Sequence, residues 1–140
     1  PSGIRFFMEA VFSFLRGLAE HNNRDWFEAH RADYDAARAQ FLTLVENVRT
    51  ALLPLEPRLA EQQSKDLLFR IYRDVRFSAD KRPYKTGFGA YYCRAGCKAP
   101  DAGYYLHAEP GKSFLAAGMW MPDGPLLKAV RQEVDYGADE

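Results

Sequence analysis

Residues 70–85 read RIYRDVRFSADKRPYK and set six cations, Arg70, Arg73, Arg76, Lys81, Arg82 and Lys85, against two carboxylates, Asp74 and Asp80. The rest of the chain holds thirteen basic and seventeen acidic residues, so the formal net charge of zero averages over unlike regions. An arginine presents a planar fork of donors that matches a carboxylate or phosphate, and a lysine adds a mobile point charge. Buried cations without partners cost on the order of several kcal/mol each, so something anionic is expected to meet this surplus. Tyr72 and Tyr84 can stack on a ring or donate a phenolic proton, Asp74 and Asp80 can orient the arginines, and Pro83 holds Arg82 extended. The segment is therefore expected to bind a phosphate- or carboxylate-bearing small molecule through Arg70, Tyr72, Arg73, Asp74, Arg76, Asp80, Lys81, Tyr84 and Lys85. The competing reading is an internal ion network, in which the same cations meet Asp74, Asp80 and helix carboxylates such as Asp25 or Glu28. In that reading Arg73 and Asp74 form a buried pair whose loss on one side costs about 3–5 kcal/mol.

His107 and Glu109 are two residues apart on an expected strand, hence on one face, and a histidine beside a carboxylate is an acid–base arrangement. They are the candidate proton-transfer residues. Tyr105 shares their face, and if that face meets Arg70 and Tyr72 the five line one polar surface. Ser78 precedes no evident base and is not read as a nucleophile. Cys93 and Cys97 would lie about 13 Å apart on a straight strand, too far for a disulfide unless the chain turns at Ala95-Gly96. A structural zinc site needs four ligands, and only His107 could join the cysteines, so reduced thiols are expected and neither metal nor cofactor is assigned.

Composition narrows the class. With 140 residues, 47% of them apolar, the chain is long enough to bury the core of a single domain. Nineteen basic residues against nineteen acidic ones leave no overall field to draw in nucleic acid, which the arginine–tyrosine interleaving alone would favour. The longest charge-free stretch, Ser113 to Pro122, is half the ~20 residues a membrane-spanning helix requires. Arg5, Glu9 and Arg16 interrupt the apolar start and no small-residue cleavage site follows, so a secretory signal is not expected and the protein is assigned to the cytoplasm.

The elements that must position these residues follow from periodicity. Val11, Phe14, Leu15 and Leu18 mark one face of a short helix. Asn23 reads as the cap of a second helix, whose stripe Trp26, His30, Tyr34, Ala37, Phe41, Leu44, Val48 and Leu52 advances in steps of three or four until Pro54 and Pro57 end it. Leu67 to Tyr72 alternates as a strand, with Leu67, Phe69 and Ile71 on one side. A second strand is expected over 84–93, where Gly87 and Gly89 mark a bulge or a close backbone approach. Residues 96–103 read as loop, and 104–109 and 114–121 as a hairpin about Pro110-Gly111-Lys112-Ser113. Asp123 and Pro125 open a final helix. The sum is an α+β domain, with amphipathic N-terminal helices, one of them long, packed on a largely antiparallel sheet, and a C-terminal helix.

The run FRIYRDVRFSADKRPYKT, Phe69 to Thr86, resembles the core motif of the DUF2461 family, bacterial and fungal proteins of uncharacterised function. Asn22 to Phe27 with His30, Arg31 and Tyr34 is similar to that family's helical signature. Tyr104 to Pro110, Ala117 to Pro122 and Arg131 follow in its order, so the resemblance covers nearly the whole chain. It implies a continuation beyond Glu140 with further sheet and a basic, proline-containing stretch, so a truncated domain is expected. The two cysteines lie outside the family pattern. The resemblance bears on the fold and implies no reaction.

Overall fold

A computed structural model describes residues 8–93 and 101–137. The first helix, α1 (Glu9–Glu20), buries Val11, Phe14, Leu15 and Leu18 on the expected face. The Asn23 side chain accepts the Trp26 N–H at 2.9 Å and so starts α2 (Arg24–Ala29), as a β-region residue at the cap should. The single helix expected from there to Leu52 is divided at His30, and α3 (Arg31–Leu52) carries the rest. The break is local to the His30 backbone, at φ −111° and ψ 27°. The His30 ring stacks on Trp26 with centroids 3.9 Å apart, and its Nδ1 lies 2.8 Å from the Trp26 carbonyl oxygen, which also keeps its bond from the His30 N–H at 3.0 Å.

Leu52 ends α3, Pro57 opens a single 3₁₀ turn (Pro57–Glu61), and α4 (Ser64–Leu67) follows. The Arg49 guanidinium ties these together, bonding Glu46 at 2.6 and 3.0 Å and the Leu59 carbonyl at 2.9 Å. Ser64 donates to the same Glu46, whose carboxyl is held down to about 2 by the Arg49 and Ser64 bonds.

The strand expected at Leu67–Tyr72 does not form. Leu67 closes α4, and the following residues run extended, touching the chain after Pro83 only at Tyr72–Tyr84 and the sheet at Leu68–Ala90. Backbone bonds run from Arg73 N to Pro83 O (2.9 Å) and from Lys85 N to Ile71 O (2.8 Å). The two bridges are out of register, with three residues (69–71) on one arm facing five (85–89) on the other, so no continuous ladder joins them. Only Leu67 and Ile71 of the expected inner face are buried, while Phe69 is 37% exposed.

The sheet has the order β1-β2-β3, antiparallel throughout, with β1 (Phe88–Cys93), β2 (Gly103–Ala108) and β3 (Phe114–Gly118). The expected hairpin is present and turns at Gly111, at φ +74°, a conformation that favours glycine. Alternation assigns the faces: Phe88, Ala90 and Tyr92 pair with Ala108, Leu106 and Tyr104 and join the helical core. Phe88 packs against Phe14, Tyr34 and Phe41, and the Tyr92 hydroxyl reaches the Val45 carbonyl at 3.1 Å from a buried position that pushes its phenol well up. The opposite face carries Gly89, Tyr105 and His107. The last helix, α5 (Gly124–Gly137), starts where the Asp123 carboxylate accepts the Leu126 N–H at 2.9 Å, and none of its residues is buried. The described architecture is α+β, and no described helix is long and apolar enough to cross a membrane.

Candidate functional site

On the face turned away from the helices, the first residues of β1, the end of β2 and the extended arms around Phe69–Arg73 and Asp80–Thr86 enclose a cleft of about 350 Å³. Its floor is made by glycines. A Cβ on Gly87 would lie 2.8 Å from His107 Cε1, and one on Gly89 would lie 2.7 Å from the Tyr105 hydroxyl. The two glycines expected to permit a close approach do so here, and they let the Tyr105 and His107 rings lie down across β1.

Those rings form a relay. The Tyr105 hydroxyl lies 3.0 Å from His107 Nδ1, His107 Nε2 lies 2.9 Å from Glu109 Oε2, and Thr86 donates to Glu109 Oε1 at 2.9 Å. The bond from His107, reinforced by that from Thr86, holds the Glu109 carboxyl below its usual range. With Glu109 ionised, a neutral His107 carries its proton on Nε2 and accepts from Tyr105 at Nδ1. Burial, aided by the Glu109 charge, pushes the Tyr105 phenol up, so at rest it is the protonated member of the relay. Both His107 nitrogens are engaged, and the Tyr105 hydroxyl is the end of the chain of bonds.

The other wall is cationic. Arg70, Arg73, Arg82 and Lys85 line it, with Asp80 as its carboxylate. Asp80 accepts from Arg82 at 2.7 Å and pairs with Arg73 at 2.9 Å, and the Arg82 bonds, with the Arg73 charge, hold it far below the usual carboxylate range. Arg70 and Lys85 make no ion pair among the described residues. Lys85 Nζ donates to the Arg70 carbonyl at 2.8 Å and sits 5.5 Å from the centre of the Phe69 ring.

Of the residues expected to bind a ligand, the structure gathers Arg70, Arg73, Asp80, Tyr84 and Lys85 at the cleft, with His107 and Glu109 opposite. Tyr84 is only 3% exposed, its ring stacked on Phe27 at 4.2 Å, and its backbone is clasped by the Asn22 amide at 3.0 and 3.1 Å. Tyr72, Asp74, Arg76 and Lys81 do not line the cleft. Tyr72 packs beside Tyr84 and Phe27, and Lys81 donates to the Val75 carbonyl at 3.0 Å. The expected Arg73–Asp74 pair is corrected: Asp74 takes Arg76 at 2.7 Å in an exposed pair, because the turn at 74–76 brings that neighbour within reach, and Arg73 takes Asp80 instead. Neither Asp25 nor Glu28 receives a cation from the segment. Phe69 and Thr86 were not foreseen at the site; Thr86 carries no pattern, whereas the exposed place of Phe69 breaks the alternation around it. Cys93 is buried in β1, and Cys97 lies outside the described residues.

Residues 10–140 match the family described as conserved hypothetical protein DUF2461. The chain belongs to the DUF2461 family. The match takes in every described strand and the whole cleft of this DUF2461 domain. Comparison with curated proteins and with solved structures finds no match.

Proposed function

We propose that this DUF2461 domain binds a small molecule bearing a phosphate or carboxylate in the cleft between the 70–85 segment and β2, with the Tyr105–His107–Glu109 relay available for proton transfer. The observation that carries the reading is the imbalance within the cleft. Four cations face two carboxylates, Glu109 is already engaged by His107 and Thr86, and Asp80 is shared by two arginines. Arg70 and Lys85 are left to meet an anion, and a guanidinium fork suits one bidentately. Titration of the protein with inorganic phosphate, followed by backbone amide shifts, tests this. Saturable shifts at Arg70, Lys85 and Thr86 are expected, and Arg70→Ala should weaken them about tenfold, the loss of one charge-assisted bond. Shifts that never saturate would remove the proposal.

A second reading, an interaction domain with an internal charge network, draws support from the pairs Arg76–Asp74 and Arg82–Asp80, both formed within the segment. It predicts no phosphate saturation. Nucleic-acid binding would announce itself by affinity falling steeply with salt.

A further inference from the structure

We infer that Lys85 is a nucleophilic amine, which forms a Schiff base with the aldehyde or ketone carbon of an anionic small molecule held in the cleft; this deepens the anion-site reading and rests on it. The argument starts from the surroundings of Nζ. It is fixed by one hydrogen bond, to the Arg70 carbonyl at 2.8 Å, and lies over the Phe69 ring. No carboxylate of the described residues pairs with it. The cleft carboxylates are occupied elsewhere, Asp80 by Arg73 and Arg82, and Glu109 by His107 and Thr86. Burial, with the Arg70 charge beside it, pushes the Lys85 ammonium down from its ordinary value. A lysine desolvated next to another cation is the arrangement that frees an amine lone pair for attack on a carbonyl. Arg70 and Arg73 remain to hold the anionic group.

The proton has a route past Phe69 to the facing wall. Phe69 packs on Tyr105 with centroids 6.1 Å apart, so its ring lies against both the amine and the phenol. As the Lys85 lone pair forms the C–N bond, the carbonyl π pair moves to oxygen, which takes the Tyr105 proton. The new N–H⁺ gives its proton back to the Tyr105 phenolate, which restores the phenol and its bond to His107 Nδ1. The resulting hydroxyl leaves as water with a second proton delivered by Tyr105, and the last nitrogen proton restores the phenol. Amine and carbonyl thus become imine and water, with no change of oxidation state.

The test is reductive alkylation of the full chain near neutral pH with cyanoborohydride, using propanal and glyoxylate in parallel and reading each lysine by peptide mass spectrometry. Propanal reports the amine alone. Lys85 should react severalfold faster than Lys65 or Lys112, because its desolvated ammonium beside Arg70 yields free amine more readily. Arg70→Gln, which removes the neighbouring charge, should shrink that preference. Glyoxylate, which adds a carboxylate, should favour Lys85 further, and inorganic phosphate should slow its labelling. If propanal modifies Lys85 no faster than Lys65, the inference is overturned whatever phosphate does. If propanal favours Lys85 while glyoxylate adds nothing and phosphate does not protect, the amine stands and the anion site falls.

Discussion

Replacing Gly89 by alanine puts a methyl group 2.7 Å from the Tyr105 hydroxyl and 3.1–3.2 Å from its ring carbons, so the far end of that side chain must swing away. The move breaks the 3.0 Å bond to His107, about 1 kcal/mol for a hydrogen bond of this kind. Against it, alanine restricts the unfolded chain and returns about 0.4–1 kcal/mol. Gly89→Ala should therefore leave stability within about 1 kcal/mol while dismantling the relay. Gly103→Ala is the contrasting case. Its Cβ would stand 2.3 Å from the Tyr92 carbonyl oxygen and 2.8 Å from Cys93 Cβ, and a backbone oxygen on the paired strand cannot rotate aside. The strands must part, at the upper end of the ~1–3 kcal/mol typical of overpacking or beyond it. Gly87→Ala falls between, because His107 can move but the Ala108 carbonyl, 3.1 Å away, cannot. Urea melts rank the three variants, and the ¹⁵N shifts of the His107 ring report the relay. A Gly89→Ala protein that loses more stability than Gly103→Ala, or that keeps the wild-type His107 shifts, would refute the claim that these glycines serve the site rather than the fold.

Acid should expose the Glu46 clasp. Its folded-state value of about 2 lies below the ordinary 4.5, so its contribution is present above pH 4.5 and lost as pH falls towards 2. Glu46→Gln should flatten the stability profile across that window, as followed by thermal melts at stepped pH. Asp74→Ala, which breaks a pair exposed on both sides, should cost under about 1 kcal/mol in a denaturant melt and, by removing a carboxylate charge felt by Arg70, should not weaken phosphate binding. Asp80→Asn keeps an acceptor for the Arg82 N–H but removes the charge shared by Arg73 and Arg82, so phosphate should bind more tightly by titration; weaker binding would contradict the cationic wall.

Local pattern was enough for the elements whose signals are local. The spacing of Val11, Phe14, Leu15 and Leu18 specifies the buried face of α1, the Asn23 side chain specifies the start of α2, and Pro110-Gly111 specifies the turn between β2 and β3. Period two also sets His107 and Glu109 on one side of their strand, and Gly87 and Gly89 on one side of theirs. What periodicity cannot give is the neighbour across a strand pair. The β1–β2 register sets Gly89 opposite His107 and gives the two rings room to lie flat, and that register depends on contacts between segments far apart in the chain. The helical stripe through His30 reads as continuous because a change of backbone angle at one residue leaves no periodic trace. In the same way, alternation at 67–72 cannot reveal that its two bridges to the returning chain, at Tyr84 and Ala90, are out of register. Above all, six cations in one segment look alike as a string. Tertiary folding sorts them, since an arginine's partner is whichever carboxylate the returning chain brings within about 4 Å of its fork. The turn gives Asp74 to Arg76 and the return past Asp80 gives that carboxylate to Arg73 and Arg82, which leaves Arg70 and Lys85 facing the cleft.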